Sequence, residues 1–479
     1  MTELSGIILI VFFLYLVVMI AIGFVTSRRT QSVEQYFLAD RGVKAWVTAI
    51  SSTASSESAW AVLGTVGLAY KEGISAAWFL PGCLLGYAVN WFFLAERLRK
   101  SSQENNYLTI PDYLEGRFND KTNVIRFISV AIIFVSMMAY VAAQFTAIGK
   151  TFDAVFGIPY ILSIPVGGAI VILYTMMGGF LAVAWTDLVQ GVLMAVSLVI
   201  LSLVALFQLG GLDGMLNAVE KVSPETLTLM GGKTFSVFLG SVVGLLGIGL
   251  GYPGQPHVLT RYMAAKDSNT IKRGVWIAGG WGLLVYSSAI LLGICGNALF
   301  PILDDPEHLF PKAAESLLPP IITAIVLTGV LAAIMSTVSA QLLVAASAIS
   351  HDIYLKIFNR TASQKKILFI SRVVVTVLGI GAMLMALTET RVIFWFVLFA
   401  WSGLGASFGP VILYSLYSKN IARSGAISGM VTGFAVTVIW KISGLSDSII
   451  YELVPAFFIS LLAVWGVSKI TNSNQVEKI

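Results

Sequence analysis

Apolar runs of about 20 residues recur from one end of the chain to the other, and no other feature constrains its fold so strongly. A helix rises ~1.5 Å per residue, so a run of that length crosses the ~30 Å hydrocarbon core of a bilayer. Of 479 residues only 11% are charged and 57% are hydrophobic. A soluble domain carries roughly 25% charged residues. The expectation is an all-α integral membrane protein with about 13 transmembrane helices in a single transmembrane domain, residues 1–479. The first six spans centre near Tyr15, Glu57, Leu84, Phe134, Gly168 and Met194. The remaining seven centre near Leu246, Leu284, Ile334, Val377, Ser402, Val431 and Leu461. The longest polar loop, roughly Arg97 to Arg126, is too short to fold alone.

The net charge of +5 belongs to helix ends, which makes it a signal of membrane orientation and not of nucleic-acid binding. Arg28, Arg29, Arg41 and Lys44 follow the first span; Arg97, Arg99, Lys100, Arg117, Lys121 and Arg126 follow the third. Arg261, Lys266, Lys272 and Arg273 follow the seventh, Lys356, Arg360, Lys365 and Lys366 the ninth, and Lys419 and Arg423 the eleventh. All of these loops share one side, while the opposite side holds acidic residues such as Asp304, Asp305, Glu307 and Glu315. Orientation in a bacterial-type inner (plasma) membrane follows, with the N-terminus outside and the C-terminus cytoplasmic. The first apolar run is full length and lacks a basic leader, so it is expected to be a retained helix. Cys83 and Cys295 sit in apolar runs with no metal-ligand spacing and are expected to be packing residues. His257, His308 and His351 are isolated in sequence and are expected to be structural. No Walker A, H-E-x-x-H or Ser-His-Asp pattern is present, which argues against an ATP-driven pump or a hydrolase.

Two spans break the pattern. The second holds Ser51-Ser52-Thr53-Ala54-Ser55-Ser56-Glu57-Ser58-Ala59-Trp60, a hydroxyl cluster with a carboxylate at mid-membrane depth. The seventh holds five glycines between Gly244 and Gly254, then Gln255 and Pro256, with Pro253 among them, which disfavours a continuous helix. Freed backbone groups at this depth must line protein or a water-filled cavity. Interrupted helices five spans apart point to a secondary transporter: half-helix N-termini face substrate carboxylates and unwound carbonyls coordinate ions. The competing explanation is close packing, with Ser and Thr bonded to their own preceding turn.

Ionisable groups inside a membrane carry a functional prior, and Glu57 and Asp187 are the clearest. Lys441 and Arg372 lie nearer span ends and are taken as structural. In the ninth span, Ser336 and Ser339 share a helix face and Thr337 adjoins Ser336, so two hydroxyls could hold one small cation at the helix edge.

Together these motifs resemble the sodium:solute symporter family, and within it the bacterial proline-carrying members. The stretches that carry the resemblance are Gly249-Leu250-Gly251-Tyr252, Gly254-Gln255-Pro256-His257, Leu331–Leu343, Gly403–Pro410 and the Gly178-Gly179-Phe180 turn. The resemblance implies the inverted-repeat leucine-transporter-type fold with two broken helices. Its repeats would run approximately 44–207 and 234–418, with peripheral helices at 5–27, 424–443 and 451–469. It implies a sodium ion, carried as co-substrate, held by backbone oxygens of Ala54, Glu57 and Ala333 and the hydroxyls of Ser336 and Thr337. Solute would lie beside Ser58, Ala59, Trp60, Tyr140, Ile248, Tyr252, Gln255 and Pro256. Asp187 would assist ion release, and Arg41 and Ser56 fall at positions tied to coupling.

Three positions depart from the proline-carrying pattern: Ser56 for aspartate, Ala59 for glycine and Ile248 for tryptophan. Glu57 is not a simple replacement for the lost carboxylate, because adjacent residues point about 100° apart on a helix; it is expected to hold the break by bonding to backbone or hydroxyl groups. The implied function is sodium-coupled import of a small zwitterionic solute, L-proline, by alternating access. Another amino acid, a betaine-like osmolyte or a monocarboxylate stays open as cargo, as does proton coupling. A channel or facilitator would need rings of charge or carbonyls around a pore, which the sequence does not offer. A transporter-like sensor would carry a signalling domain, and none follows before Ile479. The expected partners are solute, sodium and the lipid bilayer, with no enzyme chemistry; oligomeric state is not legible.

Overall fold

A computed structural model describes residues 3–28, 32–388 and 393–476; Arg29 and Ile479, named above, lie outside them. Twelve of the thirteen expected centres fall inside helices, and Glu57 falls in a gap between two. Among the described residues, eleven helical stretches are long and apolar enough to cross a membrane. One of them, Trp60–Glu104, passes through Gly73, whose φ of 60° ends the second span before the third begins. The fifth span is the shorter apolar helix Tyr160–Leu173. Counting these two brings the crossings to thirteen.

The fifth and sixth spans are formally one helix, Tyr160–Gln208, of 49 residues. Such a rod would be about 74 Å long, more than twice the bilayer core. It bends at Gly179, with φ 59° and ψ −160°. Only glycine adopts that backbone readily, and a Cβ there would stand 2.7 Å from the ring of Tyr36. The short helix Val33–Leu38, which carries Tyr36, is thereby seated against the joint.

Burial separates centre from periphery. The ninth and eleventh spans, within Pro320–Phe358 and Ile393–Tyr417, are 83% and 89% buried. The first is 28% buried, and the tenth, twelfth and thirteenth 33%. Their outer faces expose Ile10, Phe13, Phe369, Leu384, Leu462 and Trp465, an arrangement suited to lipid. The first span packs on the sixth and ninth, and the last two pack on the eleventh.

Both broken spans appear as expected. The second consists of Ala45–Ser56, a gap at Glu57 and Ser58, then Trp60–Gly64 and Thr65–Glu72. The seventh consists of Phe235–Gly247, a tight turn of helix over Ile248–Gly254, extended Gln255, and Pro256–Met263. The first half of the second span and the second half of the seventh end on the same side. There Val43 accepts from the N–H of Lys266 (3.0 Å) and donates to the carbonyl of Ala264 (3.2 Å). The chain therefore enters the two broken spans from opposite faces, the relation expected of inverted repeats.

Candidate functional site

The hydroxyl run of the second span mostly does the bland thing. Ser52, Thr53, Ser55 and Ser56 each bond to a carbonyl of their own preceding turn. Such back-bonding weakens a helix and accompanies its end at Ser56. Ser56 is therefore satisfied locally and does not stand in for an aspartate. Trp60 reaches back across the gap, its indole N–H donating to the Ser56 carbonyl at 2.8 Å. The N–H of Ala59, a residue expected beside the solute, donates to Gln144 Oε1 at 3.2 Å. That N-terminus is therefore partly capped by the protein itself.

The seventh span's unwound carbonyls are satisfied by side chains from three spans. Trp401 Nε1 donates to the Ile248 carbonyl (3.1 Å), Asn90 Nδ2 to that of Tyr252 (3.0 Å), and Gln255 Nε2 to those of Gly251 (3.2 Å) and Trp401 (3.0 Å). This is how a non-helical segment persists at membrane depth. Gly249 lets the turn meet the third span: a Cβ there would collide with the carbonyl of Gly82.

The second and ninth spans meet where sodium ligands were expected. Ser336 Oγ lies 3.1 Å from the Ala54 carbonyl and 2.9 Å from the Ala333 carbonyl, and Thr337 Oγ1 lies 3.3 Å from the latter. Two hydroxyls and two carbonyls from two spans thus converge, all buried. Oxygen-only ligation of this kind suits a hard cation. The Glu57 backbone belongs to the gap beside them.

The Glu57 side chain turns elsewhere. Its Oε1 accepts from the phenols of Tyr87 (2.5 Å), Tyr252 (3.0 Å) and Tyr286, on the third, seventh and eighth spans. Its Oε2 is buried without a partner. The expected hydroxyl bonding is present, but from distant spans and not from neighbours in sequence. Tyr87 and Tyr286 were not singled out in the sequence; the available signal was a phenol inside an apolar run, which needs a partner when buried. Tyr286 also faces Trp60, with ring centroids 6.1 Å apart, and Tyr252 faces Trp401 at 4.8 Å. Trp60, Tyr252 and Glu57 consequently border one aromatic enclosure. Cys83 lies against Tyr252 and Tyr286, and both cysteines are free and buried. Tyr140 lies against Ser58, and its ring faces His257 edge-on at 6.2 Å.

Asp187 does not reach this enclosure in the recorded contacts. Its Oδ2 accepts from Ser51 Oγ (2.6 Å) and Arg261 Nη2 (2.9 Å), and Arg261 Nε donates to Ser51 (3.1 Å). Arg261, read in the sequence as an orientation signal, is only 2% exposed. It ties the sixth span to both broken spans. Arg41, expected at a coupling position, staples the basic face, donating to Glu34 (3.2 Å), Ser102 (2.6 Å), Met263 (3.3 Å) and Tyr107 (2.9 Å), none of them among the expected solute or ion residues.

On the same face Arg126 bonds Asp112 (2.8 Å), Asp352 (2.5 Å) and Glu115, while His351 meets Asp112 at 2.9 Å. His351 is therefore not isolated. Asp112, His351 and Asp352 are close enough to share a metal ion, but Arg126 and Lys356 already supply the positive charge. Burial opposes ionisation of Asp112, yet His351, Lys356 and Arg126 outweigh it and hold its carboxyl well below the usual range.

Access differs between the faces. Opposite the basic loops, a vestibule of about 450 Å³ is lined by Glu72, Lys233, Ile248, Trp395 and Tyr451 among others. On the basic side a cleft lined by Pro256, Phe180, Arg261 and Asp352 holds about 20 Å³, room for about one water. Ile248 and Pro256, both expected at the solute, thus face different openings, with buried Tyr252 and Gln255 between them in the chain.

The chain is similar to known transporters over nearly its whole length. The model described as "Sodium:solute symporter family" matches residues 36–433. The high-affinity proline transporter PutP of Bacillus subtilis is 38% identical over 95% of this chain and 96% of its own. The sodium/proline symporter of Escherichia coli is 37% identical over 95% of this chain and 91% of its own. The osmoregulated proline transporter OpuE of Bacillus subtilis is 36% identical over 96% and 94%. Among solved structures, a substrate-bound, outward-open Na+-coupled sialic acid symporter superposes with a TM-score of 0.80 at 19% identity, covering 97% of this chain and 98% of that one. A nucleobase-cation-symport-1 family transporter in a closed conformation gives 0.55 at 15% identity, covering 91% and 95%. These likenesses establish the inverted-repeat, leucine-transporter-type fold. The length of the family match and the identity to curated relatives go further: this chain belongs to the sodium:solute symporter family.

Proposed function

We propose that the chain imports a small zwitterionic solute, L-proline, by coupling its entry to sodium, with the basic face cytoplasmic. The observation that carries this is the convergence of Ser336, Thr337 and the Ala54 and Ala333 carbonyls beside the broken second span. Sodium bound there, with the Glu57 carbonyl as a further ligand, ties the second span to the ninth and fixes the geometry of the gap. Solute then docks between Ser58–Trp60, Tyr140, Tyr252 and Gln255. Rocking of the bundle closes the vestibule and opens the cleft beside Pro256, and Asp187 assists the ion's departure.

The driving force is adequate. One charge crossing 100 mV yields about 2.3 kcal/mol, and a tenfold sodium gradient roughly 1.4 kcal/mol more. Together these sustain a solute ratio of roughly several hundred without ATP. Proline as cargo is supported by the named relatives, each at about 37% identity. The test is uptake of labelled L-proline into proteoliposomes with a negative-inside potential. Uptake that appears only with an inward sodium gradient is expected. Its absence from folded, sodium-binding protein would mean that Ser56, Ala59 and Ile248 have reassigned the pocket to another solute.

A further inference from the structure

We propose that the Glu57 carboxylate is the cation-recognising end of the solute site, and that the cargo presents it with an ammonium group bearing N–H. This rests on the symport reading above and adds what the solute must carry.

The geometry has three parts. Glu57 Oε1 is saturated by three phenolic donors, which fix the carboxylate in one orientation. Those partners are neutral, and Oε2 remains buried with no donor at all. An acceptor left unmade in the interior costs about 1–3 kcal/mol, and more when charged, so the site is completed by a ligand that brings both a donor and positive charge. The second part is the enclosure. Trp60, Tyr252 and Tyr286 place aromatic rings around the carboxylate, and Phe79 closes on Tyr286 at 5.2 Å. Aromatic faces attract a cation that has shed water.

The third part is the opposite polarity next door. Gln144 Nε2 is buried and lacks a hydrogen-bond partner, and the buried hydroxyls of Ser58 and Tyr140 have only each other. Gln144's orientation is fixed because its Oε1 takes the Ala59 N–H, which leaves the amide N–H groups as the free end. Groups able to donate, at Ser58 and beside Ala59, thus lie along the same chain break as the Glu57 oxygen that has no donor. A zwitterion with ammonium and carboxylate on one carbon satisfies both. A quaternary betaine satisfies the donors but has no N–H for Oε2. A monocarboxylate leaves Oε2 unpaired and sets two negative charges in one buried space. The carboxylate therefore discriminates among the cargoes that the sequence left open.

The experiment uses matched triplets on the proline, alanine and glycine scaffolds: the amino acid, its N-permethylated betaine and the acid with oxygen in place of nitrogen (the hydroxy acids lactate and glycolate, and for proline the ring ether tetrahydrofuran-2-carboxylate, counted with them). Sodium-dependent transport currents are recorded from proteoliposomes of the wild-type protein and of Glu57→Gln. Sodium binding without solute is followed by tryptophan fluorescence. On any scaffold that gives current, the amino acid is expected to half-saturate at a concentration about tenfold or more below both analogues. Glu57→Gln is expected to raise that concentration by a similar factor. A hydroxy acid or betaine carried as well as its amino acid overturns the proposal, and so does an effect of Glu57→Gln confined to sodium. Current from alanine but not proline, with the ammonium requirement intact, would overturn the proline assignment alone. A wild-type panel silent throughout would overturn both. The wild-type comparison stands even where Glu57→Gln does not fold.

Discussion

A hydroxyl inside a membrane helix ordinarily bonds to its own preceding turn, and Thr328 does so, with Oγ1 2.8 Å from the Ala324 carbonyl. Ser336 differs because its oxygen is shared between its own helix and the Ala54 carbonyl of another span. Thr337→Ala and Ser336→Ala each remove one oxygen from the proposed set of five. A hydrogen-bond-strength ligand to a charged group is worth about 1.5–3 kcal/mol. The sodium concentration for half-maximal uptake should accordingly rise about tenfold or more in either variant, while Thr328→Ala should match wild type. Sodium-titrated uptake measures this, and an unchanged Thr337→Ala would remove the site from the mechanism. The adjacent hydroxyls were legible in sequence, and so was the gap at Glu57. The phenols that hold Glu57 were not, because Tyr87 and Tyr286 stand alone in their own spans and meet only through packing.

At the scale of elements, the broken spans are held by side chains from elsewhere. Their glycines, prolines and hydroxyls announce the breaks. Of what satisfies the freed groups, Trp60 and Gln255 stand in the quoted motifs, while Asn90, Gln144 and Trp401 carry no local signature. Arg261 shows the limit of charge counting: a residue counted among the basic loops is buried against Asp187 and Ser51. Asp187→Asn leaves that guanidinium without its counter-charge, and breaking a buried pair on one side costs about 3–5 kcal/mol. The variant should melt at a lower temperature in detergent than wild type. It should lose more than Glu34→Ala, which removes a half-exposed partner of Arg41 that retains Ser102, Met263 and Tyr107. Equal melting temperatures for the two variants would contradict the structural weight given to the Asp187–Arg261 pair.

At the scale of the whole molecule, thirteen crossings would place the two termini on opposite faces. The apolar runs made the crossings readable, since their length follows from bilayer thickness, and the alternation of basic loops predicts their orientation. The closed cleft and open vestibule were not readable, because they depend on how rigid bundles sit together. Orientation is testable by cysteine labelling in intact cells with an impermeant maleimide, with the buried native Cys83 and Cys295 giving little background. Exposed Met230, on the vestibule side, should label as Met230→Cys without lysis. Exposed Lys266, on the basic face, should label as Lys266→Cys only after the membrane is opened. The reverse pattern would invert the assigned orientation.

The central claim is that sodium moving down its gradient drives solute up its own. Steady-state accumulation of labelled L-proline in proteoliposomes, measured as the sodium gradient and the membrane potential are varied separately, tests it most directly. The account predicts an internal-to-external ratio well above one that rises with each force and collapses when both are dissipated. A ratio that reaches one and stays there, whatever the sodium gradient, would contradict it and make the protein a facilitator.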